Sequence, residues 1–190
     1  VHKLYGALPK AAQDAALLPS AGRRKVVLAT NIAETSLTIE GIEVVIDTGL
    51  ARRSRYSPRT GMSRLETVRV SRASAEQRAG RAGRLGPGHA YRLWAEAETR
   101  GLAPADPPEI LEADLAGLVL ELSLWGVREP SGLAFLTPPP EGGFGAARDL
   151  LRQLGAVDEA GAVTPHGRRL AGLPLHPRLA HMVVAAEAHG

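Results

Sequence analysis

Three short apolar runs constrain the fold of this chain more than any other feature. They cover residues 25–30, 43–48 and 90–94, and the first two are rich in β-branched side chains. Short continuous apolar runs that alternate with stretches of helical composition are typical of strands buried in a parallel sheet. The sequence therefore predicts an α/β domain built on a parallel sheet, with the Ala-rich residues 9–18 as one of its helices.

Residues 53–70 depart from this pattern because two extended segments flank the turn sequence Pro58-Arg59-Thr60-Gly61. Alternating side chains on both sides of a Pro- and Gly-containing turn indicate a β-hairpin. We predict that this hairpin projects from the sheet.

A second domain is predicted after the Pro-containing connector at residues 99–108. Apolar side chains at positions 115, 118, 119 and 122 follow a helical repeat. A second helix is predicted at 145–154, ended by Gly155, and a tight hairpin at 157–163. Thr164-Pro165 suits the start of a further helix. Helix, helix, hairpin and helix in this order indicate a winged-helix module.

The last part of the chain begins with the stiff link at 173–177 and continues as an amphipathic helix. The predicted domains are therefore residues 1–104, 105–172 and 173–190. Since the chain does not begin with Met and stops within a helical pattern, we expect it to be a segment of a longer protein.

The composition excludes several classes of protein. The chain has no Cys, so a disulfide framework and a thiolate metal site are excluded, and its six His show no metal-ligand spacing. No apolar run is long enough to span a membrane. We expect a cytoplasmic protein, monomeric, with no bound metal of its own and no membrane partner.

The charge is distributed unevenly along the chain. Residues 52–92 contain eleven Arg and only two acids, Glu66 and Glu76, although the whole chain has a net charge of only +3. A basic block beside an acidic remainder predicts an anionic partner. Because only three of the 23 basic residues are Lys, an Arg-rich surface without function stays an alternative.

The string from Gln77 to Arg84 is the most specific part of this basic block. With Ser74 as the predicted N-cap, a helix would place Gln77, Arg81 and Arg84 on one face. Arg78 would be rotated away from that face by about 100°.

Gly80 and Gly83 lie inside the predicted helix, where each costs about 1 kcal/mol relative to Ala. Their presence is explained if a ligand approaches closer than a Cβ would permit. Two guanidinium groups and an amide with such clearance form a phosphate site. The alternative is an exposed basic helix with chance glycines.

Residues 29–39 follow the first apolar run directly and are rich in small hydroxyl and amide side chains. Ligands of open α/β sheets bind beyond the carboxyl ends of the strands, where such side chains can donate to phosphate oxygens. Composition alone leaves open whether this loop binds a ligand or caps a helix.

Gln-Arg-Ala-Gly-Arg-Ala-Gly-Arg at 77–84 resembles motif VI of superfamily 2 helicases of the DEAH-box group, and residues 29–39 resemble motif V. The resemblance implies a RecA-like domain of the P-loop NTPase type. It implies that Gln77 and Arg81 contact the γ-phosphate region and that Arg84 acts as an arginine finger.

The same resemblance implies further contacts. Thr30 and Asn31 would touch the nucleic-acid backbone, and Ser36 would sense the nucleotide. Glu40 would approach the ribose, although the family often has Asp at this position. The hairpin resembles the family's wedge near the duplex junction, and its Arg55 and Arg59 are candidate nucleic-acid contacts.

The accessory region extends the resemblance over nearly the whole chain. Residues 113–172 resemble the winged-helix domain of these helicases, and 173–179 resemble the entry to their helical-bundle, or ratchet, domain. The sequence around Trp125 resembles the bacterial HrpB type. Trp94 and Trp125 are predicted to pack in a core or between domains.

The resemblance implies an ATP-dependent RNA or DNA helicase whose partners are single-stranded nucleic acid and the first RecA-like domain of the same full-length chain. That domain would hold most of the ATP and Mg²⁺, since this chain has no Gly-x-x-x-x-Gly-Lys-Ser/Thr sequence. A non-enzymatic winged-helix nucleic-acid-binding protein and a structural interaction module are the alternatives. They need the positive charge but not the grouping of Gln77, Arg81 and Arg84.

Overall fold

In the computed structural model the chain divides into two compact units. The first contains Val1–Ser54 and Leu65–Asp106, and the second contains Arg55–Arg64 and Pro107–Gly190. The structure describes residues 1–20, 22–34, 39–58, 60–84 and 86–187. The first unit ends within the predicted connector, and the tip of the predicted hairpin groups with the second unit.

The first unit contains parallel strands, as the apolar runs predict. Strand β1 pairs in parallel with β2, and β3 pairs in parallel with β6, so the described parallel strands form two separate pairs. The strands are β1 (His2–Leu4), β2 (Val27–Ala29), β3 (Val44–Asp47), β4 (Leu50–Ser57), β5 (Met62–Arg69) and β6 (His89–Arg92). Strands β4 and β5 form the predicted hairpin.

Three helices accompany these strands: α1 (Lys10–Leu17), α2 (Arg72–Ala79) and α3 (Glu96–Gly101). Helix α1 packs on β1, and Leu4 and Ala16 are fully buried. A small apolar cluster of Val70, Ala75 and Leu102 forms where the hairpin leads into α2, with Trp94 packed against it. The predicted packing role of Trp94 is confirmed.

The second unit contains the helices that the sequence predicts: α4 (Ala116–Leu124), α5 (Glu141–Gln153), α6 (Pro165–Ala171) and α7 (Pro177–Glu187). Gly155 has φ +68°, and the Thr164 side chain accepts from the Gly167 N–H, so both predicted caps are confirmed. An antiparallel bridge joins Val157 to Val163. Helix α7 packs on α4 and α6.

The core of the second unit lies between these helices and consists mainly of apolar side chains. Leu151 and Ala156 are completely buried, and Leu170 is 1% exposed. Trp125 is 74% exposed, so it is not part of this core. No helix in the described ranges has the length and apolar character that crossing a membrane requires.

Gly167 lies where α6 approaches the backbone before the bridge, and this contact gives a stability prediction. A Cβ at Gly167 would collide with the carbonyl oxygen of Ala156, which accepts from the Thr164 N–H. We expect Gly167→Ala to lower the free energy of unfolding by about 1–3 kcal/mol, measured by urea titration.

A Cβ at Gly145, inside α5, would meet nothing within 4 Å. Gly145→Ala is therefore the matched control, with an expected gain of about 0.5–1 kcal/mol. Equal effects of the two substitutions would contradict this packing.

His166 on α6 and His181 on α7 form a hydrogen bond whose strength depends on pH. His166 Nε2 lies 2.9 Å from His181 Nδ1, so one ring must donate and the other accept. Burial lowers the pKa of His166, and electrostatic interactions with His181 and Arg169 lower it further. The folded state therefore favours neutral His166.

Because the unfolded chain protonates this His near pH 6.5, stability is fully present above that pH and is lost as the pH falls toward the lowered folded pKa. We expect the thermal midpoint of the wild type to fall between pH 7 and pH 5.5. The decrease should be smaller in His166→Gln, which does not titrate. Parallel pH profiles for the two proteins would contradict the assignment.

Candidate functional site

Helix α2 begins and ends earlier than the sequence predicts. Its N-cap is Ser71, whose hydroxyl accepts from the Ser74 N–H at 3.1 Å, so the prediction of Ser74 as N-cap is wrong. The helix ends at Ala79, and the chain continues in tighter turns in which the Arg81 N–H donates to the Arg78 carbonyl. Arg81 and Arg84 therefore do not share a helical face with Gln77, and that prediction is also wrong.

Gly80 and Gly83 lie at and just beyond the end of this helix. Gly80 is the C-cap of α2, and a Cβ there would make only ordinary contacts with the helix backbone. A Cβ at Gly83 would meet nothing within 4 Å. Within the chain, the backbone approaches Gly88 closely, where a Cβ would collide with the Ala82 carbonyl oxygen and lie 2.8 Å from that of Glu43.

Arg78 is enclosed by three hydrogen-bond acceptors. Its Nε donates to Glu34 Oε2 at 2.9 Å, and its Nη1 donates to Asp47 Oδ1 at 3.0 Å. Nη1 also donates to the Leu50 carbonyl at 3.1 Å. The Arg78 side chain is 15% exposed, against 14% for Glu34 and 5% for Asp47. Arg78 therefore joins α2 to the end of β3, the start of β4 and the loop after β2.

Arg81 is held on the same loop by a different group. Its Nε donates to the Glu34 main-chain carbonyl at 2.8 Å, and its Nη2 donates to the same oxygen. Gln77 and Arg84 are both exposed. Among the candidate phosphate-binding residues, these two present their side chains to solvent.

Glu34 and Asp47 were not among the residues singled out from the sequence. Glu34 also accepts from the Ser74 hydroxyl at 2.7 Å. Asp47 carries the one sequence signal that could have found this network, because a carboxylate at the end of a buried apolar strand needs a cationic or hydrogen-bonding partner. The partner is Arg78, the arginine that the helical repeat places away from the ligand face.

A cavity of about 380 Å³ opens beside this network within the first unit. Its polar lining comes from the loop after β2, the end of β3, the hairpin strands and the α2 region, and it includes Thr30, Asn31, Glu34, Asp47, Thr48, Arg52, Thr67, Arg78 and Arg81. Two carboxylates and three guanidinium groups line the cavity, so its wall carries one more positive than negative charge. In the described ranges, no group of three or more His, Asp or Glu is placed to hold a metal ion.

Comparison with known proteins identifies both units. Residues 1–86 match the helicase conserved C-terminal domain, and residues 147–175 match the winged-helix helicase associated domain, HA2. The ATP-dependent RNA helicase HrpB of Escherichia coli is 50% identical over 97% of this chain. Over nearly its whole length the chain is therefore similar to a segment of an ATP-dependent RNA helicase.

A second relative and a solved structure are similar over the same range. A pre-mRNA-splicing factor of Schizosaccharomyces pombe, the ATP-dependent RNA helicase prp22, is 42% identical over 98% of this chain and 16% of its own length. A crystal structure of the E. coli DEAH/RHA helicase HrpB superposes with a TM-score of 0.89 at 50% identity, over 96% of this chain and 23% of that one. The chain spans about a quarter or less of the length of the curated relatives named here, 23% in the case of HrpB.

The loop that resembles DEAH-box motif V begins with a single 3-10 turn, Asn31–Ala33. Thr30 is its N-cap, and both Thr30 and Asn31 are exposed. Glu40 is exposed in a turn, and Ser36 lies outside the described residues. The roles given to these residues by family resemblance stay predictions.

The hairpin tip carries the other predicted nucleic-acid contacts. Arg55 Nη2 lies 3.3 Å from Glu112 Oε1 within the second unit, and the Arg55 side chain is 58% exposed. Arg59 lies outside the described residues. A phosphate that binds Arg55 would therefore compete with the Glu112 carboxylate, which already contacts this arginine.

Proposed function

We propose that this chain supplies the arginine half of the nucleotide site, and part of the nucleic-acid path, of an ATP-dependent RNA helicase. The observation that carries the proposal is the difference in environment between two arginines of the same segment. Arg78 is taken up by buried carboxylates, whereas Arg84 is exposed just beyond α2, in the segment that resembles motif VI. An exposed guanidinium can reach a phosphate held by another domain.

The donor set on this chain fits the phosphates of ATP and not the metal. Gln77, Arg81 and Arg84 offer amide and guanidinium N–H groups, which bind phosphate oxygens in a defined geometry. ATP with Mg²⁺, bound mainly by the first RecA-like domain, supplies the phosphoryl group for transfer. We propose that Arg84 stabilises the charge that develops during that transfer and that Gln77 and Arg81 orient the terminal phosphate.

The nucleic-acid contacts are proposed to be single-stranded and independent of base sequence. Thr30 and Asn31 offer small polar donors suited to a sugar-phosphate backbone, and Arg55 and Arg59 add positive charge at the hairpin tip. The arginines of α5 do not form a reading face, since Arg148 pairs with Glu129 at 2.7 Å and Arg152 pairs with Asp149 at 3.1 Å. We propose RNA because the relatives are named RNA helicases, and we propose a monomer located in the cytoplasm.

The full-length protein tests this proposal in an ATP hydrolysis assay with poly-RNA, single-stranded DNA or no nucleic acid. We expect RNA to accelerate hydrolysis. A larger acceleration by DNA than by RNA would show that DNA is the substrate. The absence of hydrolysis under all three conditions would overturn the helicase assignment.

The isolated chain of 190 residues gives a second prediction. It should not hydrolyse ATP, because the phosphate-binding loop sequence is absent from it. It should bind single-stranded RNA weakly, with an affinity that falls steeply with salt because Arg contacts release counterions. Fluorescence anisotropy from 50 to 200 mM salt measures this slope, and a salt-independent affinity would exclude the hairpin arginines as contacts.

A further inference from the structure

Glu34 holds two arginines of the motif VI segment with two different groups. Its carboxylate accepts from Arg78 Nε at 2.9 Å and from the Ser74 hydroxyl at 2.7 Å. Its main-chain carbonyl accepts from Arg81 Nε at 2.8 Å and from Arg81 Nη2. The carboxylate therefore fixes the loop on α2, and the carbonyl fixes the guanidinium of Arg81 on the loop.

Glu34 is also rigidly connected to the two residues proposed to contact nucleic acid. The Glu34 N–H donates to the Asn31 carbonyl at 2.9 Å, and the Ala33 N–H donates to the Thr30 carbonyl at 3.3 Å. Residues 30–34 thus form one hydrogen-bonded turn. A displacement at Thr30 or Asn31 must also displace the Glu34 carbonyl.

We infer that Glu34 is a positioning residue that couples nucleic-acid contact at Thr30 and Asn31 to the placement of the Arg81 guanidinium. The inference rests on the proposed function, which assigns those contacts. The Glu34 carbonyl holds Arg81 on the loop. Movement of the turn on the backbone of the nucleic acid shifts that carbonyl and thereby sets where Arg81 lies.

The carboxylate is the part of Glu34 that makes this coupling rigid. A charge-assisted bond to a guanidinium is roughly twice as strong as a neutral one, and Arg78 is itself fixed by Asp47 at 3.0 Å. Glu34→Gln keeps the size of the side chain and an oxygen that can accept from Ser74, but it removes the charge. In Glu34→Gln, movement of the turn at residues 30–34 should therefore no longer bring the Arg81 guanidinium to a defined position.

Binding measurements on the full-length protein test the inference. The dissociation constant of a fluorescein-labelled oligo(U) is measured without nucleotide and with ADP and beryllium fluoride. The ratio of the two constants reports the coupling between the sites, which is reciprocal and amounts to about 5- to 150-fold in typical allosteric proteins. We expect Glu34→Gln to bring this ratio to within about twofold of one, and the control Glu76→Gln, which removes an exposed carboxylate on α2, to leave it unchanged.

The ratio separates coupling from a merely structural role, since a general loss of stability weakens both constants together. If the wild type is coupled and Glu34→Gln keeps the wild-type ratio, the inference is overturned while the proposed function stands. If the wild type binds oligo(U) in neither state, both are overturned. Where Glu34→Gln lowers the melting temperature, Ser74→Ala decides: an intermediate ratio supports the inference, and an unchanged ratio overturns it.

Discussion

Arg84→Ala should lower RNA-stimulated ATP hydrolysis by the full-length protein by about 10³-fold or more, while the melting temperature stays at the wild-type value. The loss follows from the removal of a guanidinium that stabilises charge only in the transition state, an effect of 10³–10⁵ in related phosphoryl-transfer sites. Stability should be preserved because Arg84 is exposed. Steady-state kcat with saturating RNA measures the effect.

Two further variants show whether the effect is specific to position 84. Arg100→Ala removes an exposed arginine at the end of α3 and should keep wild-type kcat. Arg81→Ala should also lower kcat, and because Arg81 binds the Glu34 carbonyl it should weaken the response to RNA as well. If Arg84→Ala and Arg100→Ala have equal kcat, the finger assignment is wrong.

Arg78→Ala should have the largest effect on stability. It leaves the carboxylates of Glu34 and Asp47, 14% and 5% exposed, without their cation. Removing one partner of a buried ion pair typically costs about 3–5 kcal/mol, because the remaining charge stays desolvated. The loss is measured as the decrease in the free energy of unfolding of the first unit in urea. Hydrogen exchange of the backbone amides of β3 and α2 locates it.

The control for this stability prediction is Arg72→Ala, which truncates an exposed arginine on the first residue of the same helix. It should change stability by no more than about 0.5 kcal/mol. In an Asp47→Asn background, Arg78→Ala should cost less, since one of the stranded charges is already neutral. A cost for Arg78→Ala as small as that for Arg72→Ala would show that the network does not stabilise the fold.

Local signals in the sequence predict most of the fold. The β-branched runs locate β2 and β3, the turn at 58–61 locates the hairpin, and Thr164-Pro165 locates the start of α6. The described parallel strands form separate pairs rather than the predicted single sheet. The sequence could not predict this pairing, because periodicity identifies strands but not which strands are neighbours. The exposure of Trp125 could not be predicted locally either, because it depends on whether another part of the structure packs against this side chain.

The site was predicted less completely, for two physical reasons. A helical repeat was continued through Gly80 and Gly83, although glycine weakens a helix enough for tighter turns to replace it. Glu34 and Asp47 were missed because a buried ion network depends on contacts between residues 31 to 44 positions apart, which no local pattern shows. The motif strings located the right segments but not the geometry within them.

We propose that this chain contributes an arginine to chemistry on a nucleotide bound elsewhere in the protein. The test is single-turnover hydrolysis of ATP by full-length Arg84→Ala, with nucleotide affinity measured on the same preparation. We expect nucleotide affinity within about tenfold of the wild type and a cleavage step slower by about 10³-fold or more. A cleavage rate equal to that of the wild type would contradict it.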